Sequence, residues 1–255
     1  MIVVVGLGPI GAGVGAALAA RGERVVGVDP DGKRAATWAS ATGMPVARDL
    51  RETPDLDQVE VVIIAVRLAA QLWSVLDALP IGARPVFVLT TLAVADARAL
   101  ADSPHAIAEA PVSGGAAGAR DGTLTMFLHA HEPLSPSAQR VVEAITQRVF
   151  RFDGFGQPAV AKLANNTLSA YNALAVATVA DVAARAGLDH ADFLRVVGAS
   201  SGQSWIADHF ADFDEALLFK DVELLKQETR ELPVIHLTDV QSRTAEIDDV
   251  RRRLQ

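Results

Sequence analysis

Residues 2–29 read IVVVGLGPIGAGVGAALAARGERVVGVD, and this stretch decides the fold. Ile2 to Val5 is an apolar, β-branched run of the kind a strand buried on both faces requires. Gly6, Gly8 and Gly11 follow at G-x-G-x-x-G spacing, where the strand pattern gives way to a helical one. Gly6 permits a tight turn, Gly8 lets backbone approach a pyrophosphate with no Cβ in the way, and Gly11 lets the helix lie close on the strand. Pro9 removes one backbone donor at the helix start, a position that tolerates proline. Gly22 marks the expected helix stop. Val25 to Val28 reads as the second strand, and Asp29 ends it, where a carboxylate can accept hydrogen bonds from the ribose hydroxyls of an adenosine. Strand, glycines, helix and acid fall in one register. They predict a dinucleotide site built from Gly6, Leu7, Gly8, Pro9, Ile10, Gly11 and Asp29, with helix N–H groups facing the phosphates. The plainer alternative is a glycine turn needed only for packing.

Asp29 also predicts NAD in preference to NADP, because it would face a 2′-phosphate with like charge. Lys33 and Arg34 lie near enough in sequence to weaken that preference and keep NADP as the alternative.

The composition narrows the class. At 255 residues and 50% hydrophobic content the chain can bury a substantial core, as one large domain or two smaller ones. A formal charge of −8 argues against nucleic acid or an anionic membrane as partner. With no cysteine, disulfide scaffolds, thiolate catalysis and zinc–thiolate sites are excluded, and a cytoplasmic enzyme is expected. The N-terminal run does not look like a signal peptide. Leu163 to Gly187 is long and Ala-rich, but Asn165, Asn166, Asn172 and Asp181 argue against a membrane helix. No metal-ligand cluster is expected.

Strand and helix patterns alternate through the first part. Strands are expected at Val59–Val66, Pro85–Thr90, Ile107–Ala110, Leu124–Ala130 and Val149–Phe152, with helices at Leu68–Leu79 and Pro136–Arg148. Asp153-Gly154-Phe155-Gly156 reads as a boundary turn. A long helix from about Pro158 to Ala186 follows, then shorter ones, and a last helix over Pro233–Leu254. The expected architecture is an α/β Rossmann domain with a doubly wound, mostly parallel sheet over 1–156, then an all-α domain over 157–255 for substrate and oligomerisation, with a cleft between them.

Three further patches carry chemistry. Glu109 to Gly115 reads EAPVSGG, and a hydroxyl at Ser113 beside the free backbone of Gly114 and Gly115 suits a carboxylate. An ordinary strand-end turn would look the same. Lys162 and Asn166 share one helix face, so an amide could hold a substrate oxygen that the lysine protonates; asparagines inside a helix carry a local cost that often marks function. The alternative is a solvated lysine. Lys220-Asp221, ahead of an amphipathic run, is by itself most simply a surface ion pair.

Taken together, the N-terminal fingerprint, Ala110-Pro111-Val112-Ser113-Gly114-Gly115, Gly156 through Lys162 to Asn166, and Lys220-Asp221 occur in an order that resembles the β-hydroxyacid dehydrogenase family, within the 6-phosphogluconate dehydrogenase superfamily. The resemblance covers most of the chain. It implies Lys162 as catalytic acid/base, Asn166 as its orienting partner, and Ser113 with the Gly114 and Gly115 backbone as the holder of a substrate carboxylate. Lys220 would line the same cleft. The implied reaction moves a hydride between a nicotinamide and a small 3-hydroxy acid or semialdehyde, and a homodimer or homotetramer is implied. Burial and Lys220 would lower the pKa of Lys162.

The chain departs from the family in its short length, in Glu109 where aspartate is common, in Arg67 where a smaller or neutral residue is common, and in His129-Ala130 where glycines are common. Arg67 would put positive charge near the nicotinamide, and His129 is read as structural. The rival readings are an imine reductase of related architecture, which usually has aspartate or tyrosine in place of Lys162, and a non-catalytic dinucleotide-binding protein.

Overall fold

The computed structural model describes residues 1–82, 84–211, 213–229, 232 and 252. The expected helix over Pro233–Leu254 lies, but for Arg252, outside the described residues. The strands are β1 (Ile2–Val5), β2 (Val25–Val28), β3 (Val46–Ala47), β4 (Val61–Ile64), β5 (Pro85–Val88), β6 (Ala106–Glu109), β7 (Val112–Ser113), β8 (Leu124–Ala130) and β9 (Thr146–Arg151). Between them run α1 (Pro9–Ala20), α2 (Gly32–Thr42), α3 (Ala69–Ala78), α4 (Val94–Ala99), α5 (Gly115–Asp121) and α6 (Pro136–Ile145). Beyond Gly156 come α7 (Gln157–Arg185), α8 (His190–Gly198), α9 (Trp205–Asp208) and α10 (Glu215–Thr229).

Among the described residues the strands form one sheet in the order β3-β2-β1-β4-β5-β6-β8-β7, with β9 paired to β8. Pairing is parallel from β3 through β6, and β8 joins antiparallel to β6. β1, β2 and β4 are buried along their whole length, as continuous apolar strands require, whereas β9 at the far edge is largely exposed. Alternate residues of β1 serve opposite cores. Ile2 and Val4 pack with Leu18, Trp38 and Val141 on one side, whereas Val3 and Val5 pack with Leu72, Leu76 and Leu100 on the other. This is the expected Rossmann half, with strand order reversing between β1 and β4.

Most element ends move by a residue or two from the sequence reading, β4 running Val61–Ile64 rather than Val59–Val66, and two differences are larger. The helix expected to Arg148 stops at Ile145, because Thr146 pairs with Leu124 and begins β9, while its hydroxyl donates to Val142 O at 2.7 Å. The segment after Ser113 is not a bare turn but the start of α5, which packs on α1 so closely that a Cβ on Gly13 would sit 2.8 Å from that of Ala119.

Among the described residues, every regular element of the second half is a helix. α7 is its axis: α8, α9 and α10 pack on it, and its first turns reach α4 and β8. By length and composition α7 is long and apolar enough to cross a membrane. Here Ala170 and Ala173 of α7 form a small core with Ile206 of α9 and Leu218 of α10.

Candidate active site

The glycine turn lies at the strand-order reversal, the place where open α/β sheets bind ligands. Gly6 has φ +90°, its N–H donates to Val28 O at 2.8 Å, and an added Cβ would lie 2.7 Å from Ala65 O. A Cβ on Gly11 would lie 1.9 Å from Gly6 O, so only glycine lets α1 start this close to β1. Gly8 is different: a Cβ there would meet nothing within 4 Å. Two glycines hold the turn together, and the third faces open space with the first-turn N–H groups of α1, apart from Pro9, beside it. These residues fit a dinucleotide pyrophosphate. Ile10 is half-buried and packs against the sheet core. Leu7 faces inward, with its side chain in the core and its N–H donated to Asp29 Oδ2 at 2.8 Å.

Asp29 is only 2% exposed and already has partners. Besides Leu7, the Asp31 N–H donates to Oδ1 at 2.9 Å, and Arg34 Nη1 reaches the two oxygens at 3.2 and 3.0 Å. Arg34, seen in sequence only as a nearby cation, is therefore the ion partner of the very carboxylate expected to meet the ribose. Arg48, which sequence reasoning missed, also reaches this turn and donates to Pro30 O at 2.7 Å. Lys33 is exposed. Arg67 is also exposed, two residues past the Ala65 that backs Gly6, and its N–H donates to Gln71 Oε1 at 3.1 Å.

Ser113 ends β7, opposite Thr125 of β8, and is half-buried. Gly114 and Gly115 follow with φ +125° and +65°, a left-handed pair that turns the chain from β7 into α5. Glu109, at the end of β6, is 2% exposed. Its carboxylate accepts from Gly156 N–H at 2.7 Å and Ala159 N–H at 2.8 Å. Burial pushes its carboxyl pKa up, and those two hydrogen bonds oppose the shift.

Lys162 projects from the second turn of α7 and is 8% exposed. Its Nζ donates to Asn166 Oδ1 at 3.1 Å, and Asn166 Nδ2 donates to Asp221 Oδ2 at 2.7 Å. That second bond sets which way the amide points. Asp221, 4% exposed, has Lys220 Nζ 3.2 Å from its other oxygen. The pKa of Lys162 is lowered to about 8, chiefly by burial and further by Lys220, while the charge of Asp221 opposes the shift. α10 thus brings Lys220 and Asp221 to the helix face that carries Lys162 and Asn166. Asp221, at first part of an ordinary-looking surface pair, is the buried member.

The described contacts assemble the sequence-predicted residues into three groups: the glycine turn with Asp29, the Ser113 turn, and the Lys162–Asn166–Asp221–Lys220 cluster. Glu109 joins the strand leading to the second with the helix carrying the third. His129, read as structural, donates from Nδ1 to Phe152 O at 2.9 Å and packs edge-on to Phe155.

Residues 1–154 match the family model described as the NAD binding domain of 6-phosphogluconate dehydrogenase. Residues 156–246 match that described as NAD-binding of NADP-dependent 3-hydroxyisobutyrate dehydrogenase. The chain belongs to the β-hydroxyacid dehydrogenase family. Among relatives, a probable 3-hydroxyisobutyrate dehydrogenase of Mycobacterium tuberculosis is 30% identical over 215 residues, which is 80% of this chain and 71% of the relative. A solved 3-hydroxyisobutyrate dehydrogenase from Salmonella typhimurium superposes with a TM-score of 0.76 at 26% identity, covering 91% of this chain and 89% of that one. That of the Mycobacterium tuberculosis enzyme with L-serine gives 0.72 at 27%, covering 91% and 88%. As a β-hydroxyacid dehydrogenase, the chain is an oxidoreductase with a nicotinamide dinucleotide as cofactor.

Proposed function

We propose that this enzyme transfers hydride between NAD, in preference to NADP, and a small 3-hydroxy acid or its semialdehyde, with Lys162 as acid/base. The observation that carries the reading is the state of Lys162: withdrawn from water, its pKa lowered to about 8, and hydrogen-bonded to one neutral amide. Such a lysine can hold or release a proton near neutral pH, as a general acid or base must.

The nicotinamide, when bound, accepts or supplies the hydride. In oxidation Lys162 takes the hydroxyl proton of the substrate. In reduction it returns that proton to the oxygen as it gains charge. Asn166, its amide turned by Asp221, orients both the lysine and the substrate oxygen. Ser113 and the Gly114 and Gly115 backbone hold the carboxylate, and Lys220 adds positive charge to the same cleft. The relatives' names support this substrate class, and L-serine, present with the Mycobacterium tuberculosis enzyme, is itself a 3-hydroxy acid.

We place the enzyme in the cytoplasm and expect a homodimer or homotetramer, with no nucleic-acid or membrane partner. Leu168, Leu174, Val179 and Val182 of α7 are 43–60% exposed, and a second copy of this chain would cover them.

Turnover against a panel of small 3-hydroxy acids and semialdehydes, with NADH binding followed in parallel, tests the proposal. Hydride transfer to at least one of them is the expected result. NADH binding without turnover of any would favour a binding protein, and reduction of cyclic imines alone would favour an imine reductase.

A further inference from the structure

We propose that Glu109 is a positioning residue for Lys162: from the end of β6 it grips the first turn of α7 and thereby fixes the lysine one turn further along. This rests on the acid/base reading of Lys162 above.

The capping of the helices carries the inference. α2, α6, α8 and α9 are capped locally, by Asp31, Ser135, Asp189 and Ser204 at their own N-termini. α7, the helix that carries Lys162, has Gly156 at that position and, like the shorter α1, α4 and α5, no side-chain cap of its own. Its cap comes from 47 and 50 residues away, where both carboxylate oxygens of Glu109 take the Gly156 and Ala159 N–H groups. Helix stability alone would be served by a local serine or aspartate. A remote cap adds a fixed relation between helix and strand. The chain runs on from that strand through Ala110 and Pro111 into β7 and Ser113, and the helix reaches Lys162 three residues after Ala159. Glu109 therefore ties the carboxylate turn and the acid/base to one point. The N-terminal end of a 29-residue helix also favours a negative charge there, against the cost of burying it.

The grip has a second finger. His129 is paired directly with Glu109 across β6 and β8, so the two side chains share a face of the sheet. Its Nδ1 lies 2.9 Å from Phe152 O, and its ring meets Phe155 edge-on with centroids 4.6 Å apart. One cross-strand pair thus holds both ends of the segment from Phe152 to Ala159. Gly156 adapts that segment with φ +86°, where a Cβ would lie 2.8 Å from Arg98 Cγ.

The test is Glu109→Gln in the full chain, with three readouts: kcat for 3-hydroxyisobutyrate oxidation, NADH affinity, and a ¹⁵N NMR titration of the Lys162 amine. The amide keeps the size but turns one N–H donor toward a helix donor, so α7 shifts. The expected kcat loss is about 10- to 100-fold, the size associated with ångström-scale misplacement. NADH affinity should hold, and the Lys162 titration should move upward from about 8 as water reaches the amine. Glu109→Asp, with both oxygens on a shorter stem, should move the same way by less, and it replaces the glutamine variant if that one does not fold. Wild-type kcat and titration in a folded variant overturn the proposal, even if Tm falls. So does a parallel loss of NADH affinity, which would mark general damage. Lys162→Ala separates the two levels: if it turns over normally, the acid/base reading fails. If it is inactive while Glu109→Gln behaves as wild type, only the positioning role fails.

Discussion

Asp29 and Lys162 are both withdrawn from water, one in each half of the molecule, and the chain treats them in opposite ways. Asp29 receives the N–H groups of Leu7 and Asp31 and the guanidinium of Arg34. Lys162 has only a neutral amide oxygen as hydrogen-bond partner, at 3.1 Å; burial and the charge of Lys220 work against its ammonium, and the charge of Asp221 works for it. A group that shapes a binding turn is best surrounded by partners that fix its position. A group that moves a proton must be left short of partners, so that neither protonation state is far out of reach. Under the proposed function, the half that binds is held by its partners and the half that carries Lys162 is poised.

The largest effect expected is at the poised group. Lys162→Ala should cut kcat by about 10²–10⁴, roughly 3–5.5 kcal/mol of transition-state stabilisation, with fold and NADH binding intact. Lys162→Arg should restore little, since a guanidinium does not release its proton near neutral pH. Steady-state kcat with a parallel NADH titration checks this, and retention of more than about a tenth of the rate, well above the loss expected for acid/base removal, would assign the proton to another residue.

The fixed half should break in two separable ways. Gly11→Ala drives a methyl into Gly6 O and should lower stability by about 1–3 kcal/mol along with NADH affinity. Gly8→Ala has open space around its methyl, so Tm should hold while NADH binding weakens. Thermal melts with and without NADH distinguish the pair; equal loss of Tm in both would contradict the division of labour among the glycines.

Ser113→Ala should raise the substrate KM, at a cost of about 1.5–3 kcal/mol for a hydrogen bond to a charged carboxylate, and spare NADH affinity. The reverse pattern in a KM and NADH titration would move the serine to the cofactor site. The smallest effect expected is in cofactor choice. Asp29→Asn should narrow the gap between NAD and NADP in kcat/KM at fixed salt, and Arg34, already on that carboxylate, limits how wide the gap is at the start.

The same contrast explains what could be read from sequence. The dinucleotide half was legible because its rules are local: β-branched runs give the strands, and glycine spacing gives the turn. The sharpest part of the reacting half was not. Lys162 and Asn166 share a helix face by spacing alone, but Asp221 becomes a buried partner only when α10 packs on α7. Glu109 stands out in sequence only as a departure from a common aspartate; its role as a cap does not, because capping a helix from 47 residues away leaves no pattern in either segment. Arg48 reaches the β2–α2 turn for the same non-local reason. The end of α6 was misplaced because Arg148 continues a helical pattern that pairing with β8 overrides.

The most direct test of a poised Lys162 is the pH dependence of hydride transfer in both directions, measured by single-turnover absorbance of the nicotinamide. Oxidation needs the neutral amine, so its rate should rise through about pH 8 and level off above it. Reduction needs the ammonium, so its rate should be full below that point and fall as pH passes through it. Both inflections should vanish in Lys162→Ala. Profiles that run the same way in the two directions, or inflections that survive in Lys162→Ala, would contradict the assignment.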